Sequence, residues 1–209
     1  MTEIVLVRHG ETDWNVGEVF RGRADIALNP TGHRQAELLA EHLSFPPVDA
    51  VYSSPLQRAL DTAGPVARYH QLEVSVAAGL VDIDYGEWQG LSRREVEAKY
   101  PQLYREWLAH PERLVLPGGE SLADVRRRAM TVVEEAVARP GRVVLVAHRA
   151  VNKVLICALL GLDDSHFWEI RQDNGGITVF AAEGGRYILT GHNDTSHLKA
   201  LGKPPPADF

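Results

Sequence analysis

Residues 3–15 read EIVLVRHGETDWN: an unbroken apolar run, then arginine, histidine and glycine, then a polar turn. The run Ile4–Val7 is rich in valine and shows no alternation of apolar and polar residues. That is the pattern of a strand covered on both faces, as in a parallel sheet packed between helices. Arg8 and His9 stand where the run stops. Active sites of parallel α/β sheets gather at the carboxyl ends of strands, so the next question is which residues end the neighbouring strands.

Outward from this stretch, "VDAVY" (48–52) and "RVVLVA" (142–147) repeat the pattern. Each strand leads into helical text. "TGHRQAELLAEHL" (31–43) spaces Ala36, Leu39 and Leu43 on one face, "PLQRALDTAGPVARY" (55–69) opens with Pro55, suited to a first turn, and "AVNKVLICALLGL" (150–162) follows the third strand. The order predicts a three-layer α/β/α sandwich with a mostly parallel sheet. Between about 91 and 140 the strand signal disappears, which predicts an inserted helical lid, with "LPGGE" (116–120) as a turn or hinge. In its second half Ser121 caps a helix with Asp124 three residues on, and Leu122, Val125, Ala129, Val132, Val133, Ala136 and Val137 form one apolar stripe. After Gly175 and Gly176, "ITVFAA" (177–182) and "RYILTGH" (186–192) read as a late antiparallel pair, and the tail at about 203–209 as mobile.

Composition bounds the function. The chain has 209 residues and a formal net charge of −6, which gives no basic footprint for nucleic acid or an anionic membrane. Its longest apolar stretches fall short of the roughly 18 residues of a membrane span. The single cysteine, Cys157, forms no internal disulfide, and no secretory leader opens the sequence, so a cytoplasmic protein is expected. Cys157 reads as a core filler, and His33, His42, His70, His110 and His166 as surface residues without metal-ligand spacing. The triple arginine at 126–128 reads as the solvated face of a helix, and Trp14 and Trp88 as pocket-framing or core aromatics.

The strand ends collect one kind of chemistry. Arg8 and His9 end the first strand, "SSPLQRALDTA" (53–63) with Arg58 follows the second, and His148 ends the third. Between them "VDIDYGEWQG" (81–90) supplies Asp82, Asp84 and Glu87 near glycine turns. A phosphate monoester is nearly a dianion, and arginine forks match its oxygens in charge and geometry. A histidine nitrogen can attack phosphorus, and a carboxylic acid can protonate the departing alkoxide and then take a proton from water. Neither a metal nor a cofactor is required by this set.

Taken with "FRGRADIALNPTG" (20–32), "PGGESLADVRRR" (117–128), "IRQDNGGITVF" (170–180) and "GHNDTSHL" (191–198), these motifs resemble the histidine phosphatase superfamily in its phosphoglycerate-mutase-like branch, over nearly the whole chain. The resemblance implies one histidine phosphatase domain over residues 1–209. It implies a phosphorylated nucleophile at His9 and a phosphoryl group held by Arg8, Arg58 and His148, with Asn15, Arg21 and Gly22 lining the phosphate pocket. Asp82 falls in register where the branch usually carries a glutamate proton donor, with Asp84 and Glu87 as neighbours able to compensate. Arg149 stands where the branch usually has glycine. The implied activity is hydrolysis of a small phosphorylated metabolite, with no metal, the oligomeric state being open. Two rivals remain: a phosphoglycerate mutase, disfavoured because "YGEWQGLSR" (85–93) replaces the mutase text and the carboxylate-gripping segment is absent, and a non-catalytic phosphate-binding module, disfavoured because nucleophile and clamp are all present.

Overall fold

The computed structural model describes residues 1–138 and 140–202, so the tail expected at 203–209 lies outside the described residues. Within them the strands are β1 (Thr2–Arg8), β2 (Ala50–Ser53), β3 (Val74–Val76), β4 (Gly141–Ala147), β5 (Ile177–Glu183) and β6 (Arg186–Asp194). The helices are α1 (Asp13–Val16), α2 (Pro30–His42), α3 (Gln57–Tyr69), α4 (Arg93–Lys99), α5 (Pro101–Ala109), α6 (Leu122–Val137) and α7 (Arg149–Leu159). The sheet runs in the order β3-β2-β4-β1-β5-β6. Its first four strands are parallel, whereas β5 runs antiparallel to β1 and β6 antiparallel to β5.

The unalternating text of β1 has its explanation in two cores. Ile4 and Leu6 point into one that also holds Val143, Leu145, α7 and the stripe of α6. Val5 and Val7 point into the other, shared with Leu39, Leu43, Ala59, Ala63 and Val66 of the α2–α3 side. Each such fully buried aliphatic side chain contributes about 1.5–3 kcal/mol relative to exposure, which is why β1 must be apolar on both faces. β3 escaped the sequence reading because it is three residues long, lies at the sheet edge and leaves two of its three side chains exposed.

The stretch 91–140 holds α4, α5 and α6, which bring Val96, Tyr104, Trp107, Val125, Ala129 and Val133 into one core with Trp88, Ile4 and Val143. Helix α6 also packs on α7 and β4. Helix α3 starts at Gln57, two residues beyond Pro55. Its first turn is capped from a distance, because the Asp25 carboxylate accepts the Gln57 N–H at 2.8 Å. The loop carrying Arg21 and Gly22 thereby fixes the helix carrying Arg58. No described helix is long and apolar enough to cross a membrane.

Candidate active site

The site starts at the end of β1. His9 continues the ladder, donating its N–H to the Ala147 carbonyl at 3.0 Å, so the ends of β1 and β4 present His9 and His148 side by side. Their ring centroids are 5.2 Å apart. The turn after His9 can press against the start of α2 only because both contacts are glycine: a Cβ on Gly32 would lie 2.1 Å from the Glu11 carbonyl oxygen, and one on Gly10 2.6 Å from that of Gly32. Thr12 and Asn15 then form a reciprocal cap on α1. The Asn15 Oδ1 accepts from the Thr12 N–H and hydroxyl.

Hydrogen bonds set the histidine tautomers. The Nδ1–H of His9 donates to the Gly10 carbonyl at 2.7 Å, leaving the lone pair on Nε2. The Ser54 hydroxyl accepts the Leu56 N–H at 3.3 Å and lies 2.7 Å from His148 Nε2, to which it can donate its own proton. With that donation neutral His148 carries its proton on Nδ1, a buried atom with no hydrogen-bond partner among the described residues. Burial, followed by the charges of Arg58, Arg8 and Arg21, holds His9 well below the usual histidine range, against the opposing pull of the Gly10 carbonyl. Burial, Arg58 and His9 do the same to His148. Both rings are neutral at pH 7, and a neutral ring is the nucleophilic form.

The arginines close around them. Arg58, fully buried, donates to the carbonyls of Ala24 and Gly22, both at 2.7 Å, and to Asp82 Oδ2 at 3.2 Å. Gly22 thus enters the site through its carbonyl. Arg21 donates from Nη1 to Trp14 and Val19 carbonyls, and burial with the charges of Arg8 and Arg149 pushes it down to about 9, still cationic at neutral pH. Arg8 donates to the Gln172 carbonyl. The Nε atoms of Arg21 and Arg58, like His148 Nδ1, are buried and have no hydrogen-bond partner among the described residues. Buried donors are ordinarily satisfied, so these three, on side chains that already share one charged cluster, suit a site for an anion.

Of the three acidic candidates only Asp82 belongs to this cluster. It is 5% exposed, with Oδ2 3.7 Å from His148 Nδ1 and Oδ1 accepting the Ile83 N–H at 2.9 Å. Asp84 turns away: its Oδ1 accepts the Gly86 N–H, and its Oδ2 lies 3.5 Å from Arg23. Glu87 accepts from the Tyr100 hydroxyl at the surface. Gly86, at φ +51°, lets this loop touch the Pro117–Gly119 turn, where a Cβ would sit 2.0 Å from the Pro117 carbonyl oxygen. "LPGGE" is accordingly a docked turn.

Several participants escaped the sequence reading. Asn174 donates its amide to the carbonyls of His9 and Gly10 and to Asn15 Oδ1. It and Gln172 precede β5, which runs antiparallel to β1, so the start of β5 meets the end of β1. A survey of strand carboxyl ends passes over the amino end of an antiparallel neighbour; the polar "RQDNGG" before an apolar strand was the available signal. The arginine triple also differs from expectation. Arg127 is exposed, but Arg126 forks onto Asp164, and Arg128 donates to Glu120 and to the carbonyls of Gly79, Val81 and Asp82. Arg128 therefore holds the Asp82 loop in place. Among the remaining histidines, His70 is half-buried and bridges Val48 and the Leu43 carbonyl. Cys157 is buried and its thiol is pushed up to about 11, mainly by burial, which keeps it inert. Trp88 is a core residue.

Three comparisons bear on this geometry. The family model for the histidine phosphatase superfamily (branch 1) matches residues 4–195. Phosphoserine phosphatase 1 of Hydrogenobacter thermophilus is 39% identical over 200 residues, 95% of this chain and 95% of the relative. The metal-independent phosphoserine phosphatase of Arabidopsis thaliana is 33% identical over 97% of this chain and 85% of its own. Among solved structures, a phosphoserine phosphatase mutant from Entamoeba histolytica in complex with phosphoserine superposes with a TM-score of 0.86 at 31% identity, covering 95% of this chain and 100% of that one.

Proposed function

The chain belongs to the histidine phosphatase superfamily, and from that premise we propose that it hydrolyses O-phosphoserine through a phosphohistidine formed at His9. That it is a phosphomonoester hydrolase follows from the family and from its phosphatase relatives. The single observation that carries the mechanism is the neutral His9, its Nε2 lone pair fixed by the Gly10 contact, set among buried donors of Arg21, Arg58 and His148.

In the first step His9 Nε2 attacks phosphorus and the P–O ester bond breaks. Arg8, Arg58, Arg21, Asn15 and His148 Nδ1 hold the phosphoryl oxygens as charge shifts onto them. Asp82, as the acid of the cycle, gives a proton to the serine alkoxide. In the second step water attacks the phosphohistidine, its proton goes to the Asp82 carboxylate, and the P–N bond breaks to release inorganic phosphate. His9 and Asp82 return to their starting states. The Asp82 carboxyl lies 3.2 Å from the Arg58 guanidinium. An incoming phosphoryl group competes for that same guanidinium and loosens its hold on Asp82.

A panel of phosphoserine, 3-phosphoglycerate, sugar phosphates and nucleotides, followed by phosphate release with exhaustive EDTA present, tests the reading. Phosphoserine is expected to give the highest kcat/KM, undiminished by chelation. A nucleotide or sugar phosphate in first place contradicts the substrate, activity restored only by a divalent ion contradicts the clamp, and 2-phosphoglycerate formed without phosphate release from 3-phosphoglycerate contradicts hydrolysis.

A further inference from the structure

Beside the phosphate site lies a cleft of about 200 Å³, lined by Phe20, Tyr104, Trp107 and Trp168, with Arg93 at its rim and Arg149 at its inner end. We propose that Arg149 is the specificity residue of this cleft and binds a carboxylate carried by the leaving alcohol of the substrate. The proposal rests on the phosphoserine reading above and assigns the group that selects it.

Position is the first argument. Arg149 directly follows His148, and its guanidinium hydrogen-bonds Tyr85, three residues beyond Asp82. Asp82 protonates the leaving oxygen, so the side of the site bounded by Asp82, Tyr85 and Arg149 is where the alcohol portion lies. Confinement is the second. Arg149 is 4% exposed, and its guanidinium carbon lies 5.5 Å from the centre of the Trp168 ring, a ring that also faces Lys153 Nζ at 4.9 Å. Trp168 is itself pinned by an N–H donated to the Trp107 carbonyl at 2.7 Å. A guanidinium ordered in this way presents a planar fork to a carboxylate without further loss of freedom.

Cost is the third argument. Arg149 occupies the first turn of α7, where the helix dipole disfavours a cation, and its charge also opposes that of Arg21. A cation kept against two repulsions is the kind of local conflict that functional sites retain. Size is the fourth. The cleft falls below the roughly 300–1,000 Å³ of pockets that enclose drug-sized ligands, so it suits a short acid rather than a nucleoside. A mostly aromatic cleft, with Leu108 and the exposed Arg93 in its lining and one buried arginine, is thus built for a small carboxylate-bearing group.

The test compares kcat/KM for phosphoserine, 3-phosphoglycerate and phosphoethanolamine, the last lacking the carboxylate, in wild type, Arg149→Met and Arg149→Gln, with thermal melts as a check on folding. The preference for phosphoserine over phosphoethanolamine is expected to fall at least 10-fold in Arg149→Met, mainly through KM, with 3-phosphoglycerate losing ground in parallel. If Arg149→Met does not fold, the same fall in Arg149→Gln decides. A preference that survives both substitutions, or a loss equal for all three substrates, overturns the assignment while leaving the phosphoserine reading intact. A wild-type enzyme that favours phosphoethanolamine over both acids removes that reading, and the role of Arg149 with it.

Discussion

Asp82 carries the sharpest question among single residues, because it, and not Asp84, faces His148. An alkoxide leaves poorly near neutral pH, and a positioned acid contributes roughly 10² to 10⁴ in rate. Asp82→Asn keeps the shape and removes the proton. The variant is therefore expected to lose that factor on an alkyl phosphate such as phosphoserine, and far less on p-nitrophenyl phosphate, whose leaving group departs without protonation. Equal losses on both substrates would make Asp82 a binding or structural residue. A substrate-dependent loss in Asp84→Asn instead would move the acid two residues along. Asp82 is one methylene shorter than the glutamate usual at this position in the family, and its backbone is held correspondingly firmly, with the carbonyl bonded by Arg128 and a side-chain oxygen by the Ile83 N–H.

At the scale of elements, the site depends on helix α6 through Arg128. Its guanidinium joins α6 to the carbonyls of Gly79, Val81 and Asp82 and to Glu120, which in turn accepts the Asp84 N–H. Arg128→Met leaves those carbonyls without their donor, at about 1–3 kcal/mol for each buried group left unsatisfied. A lower melting temperature is expected, with kcat on phosphoserine falling more than kcat on p-nitrophenyl phosphate. Loss of stability with no such asymmetry would separate Arg128 from the positioning of the acid. The sequence displayed the elements unevenly, and for physical reasons. β1, β2 and β4 stood out because burial on both faces demands an unbroken apolar run, and α6 because its stripe repeats at helical spacing. His9, Arg8, Arg58 and His148 were legible because parallel strands deliver their ends to one edge. Asn174 and Gln172 were not, since they reach that edge from the start of an antiparallel strand, and Arg128 was not, since nothing in a run of three arginines tells which one turns inward. How the stretch 91–140 packs was not legible, because a helical stripe by itself does not name the core it joins.

For the whole molecule, the buried histidines tie stability to pH. His9 and His148 are held well below the usual 6.5 chiefly by burial, and His197 is brought to about 4 by burial and His42. As pH falls through about 6.5 the unfolded chain takes up protons that the folded chain refuses, so stability is complete above that value and declines below it. The slope approaches about 1.4 kcal/mol per pH unit for each fully buried histidine. Carboxylates with lowered values, such as Asp124 and Asp163, lose their contribution only nearer pH 4, outside this window. Urea unfolding is expected to show lower stability at pH 5.5 than at pH 7.5; equal or greater stability at pH 5.5 would mean that the rings are protonated in the folded state. The same neutrality suits His9 to the nucleophile's part proposed for it, and the covalent intermediate is the claim on which the account turns. Brief mixing with phosphoserine, an alkaline quench and peptide mass spectrometry measures it most directly. The account predicts an acid-labile phosphoryl group on His9, absent from His9→Ala; phosphate found stably on Ser53, Ser54 or Cys157, or turnover by His9→Ala at the wild-type rate, would contradict it.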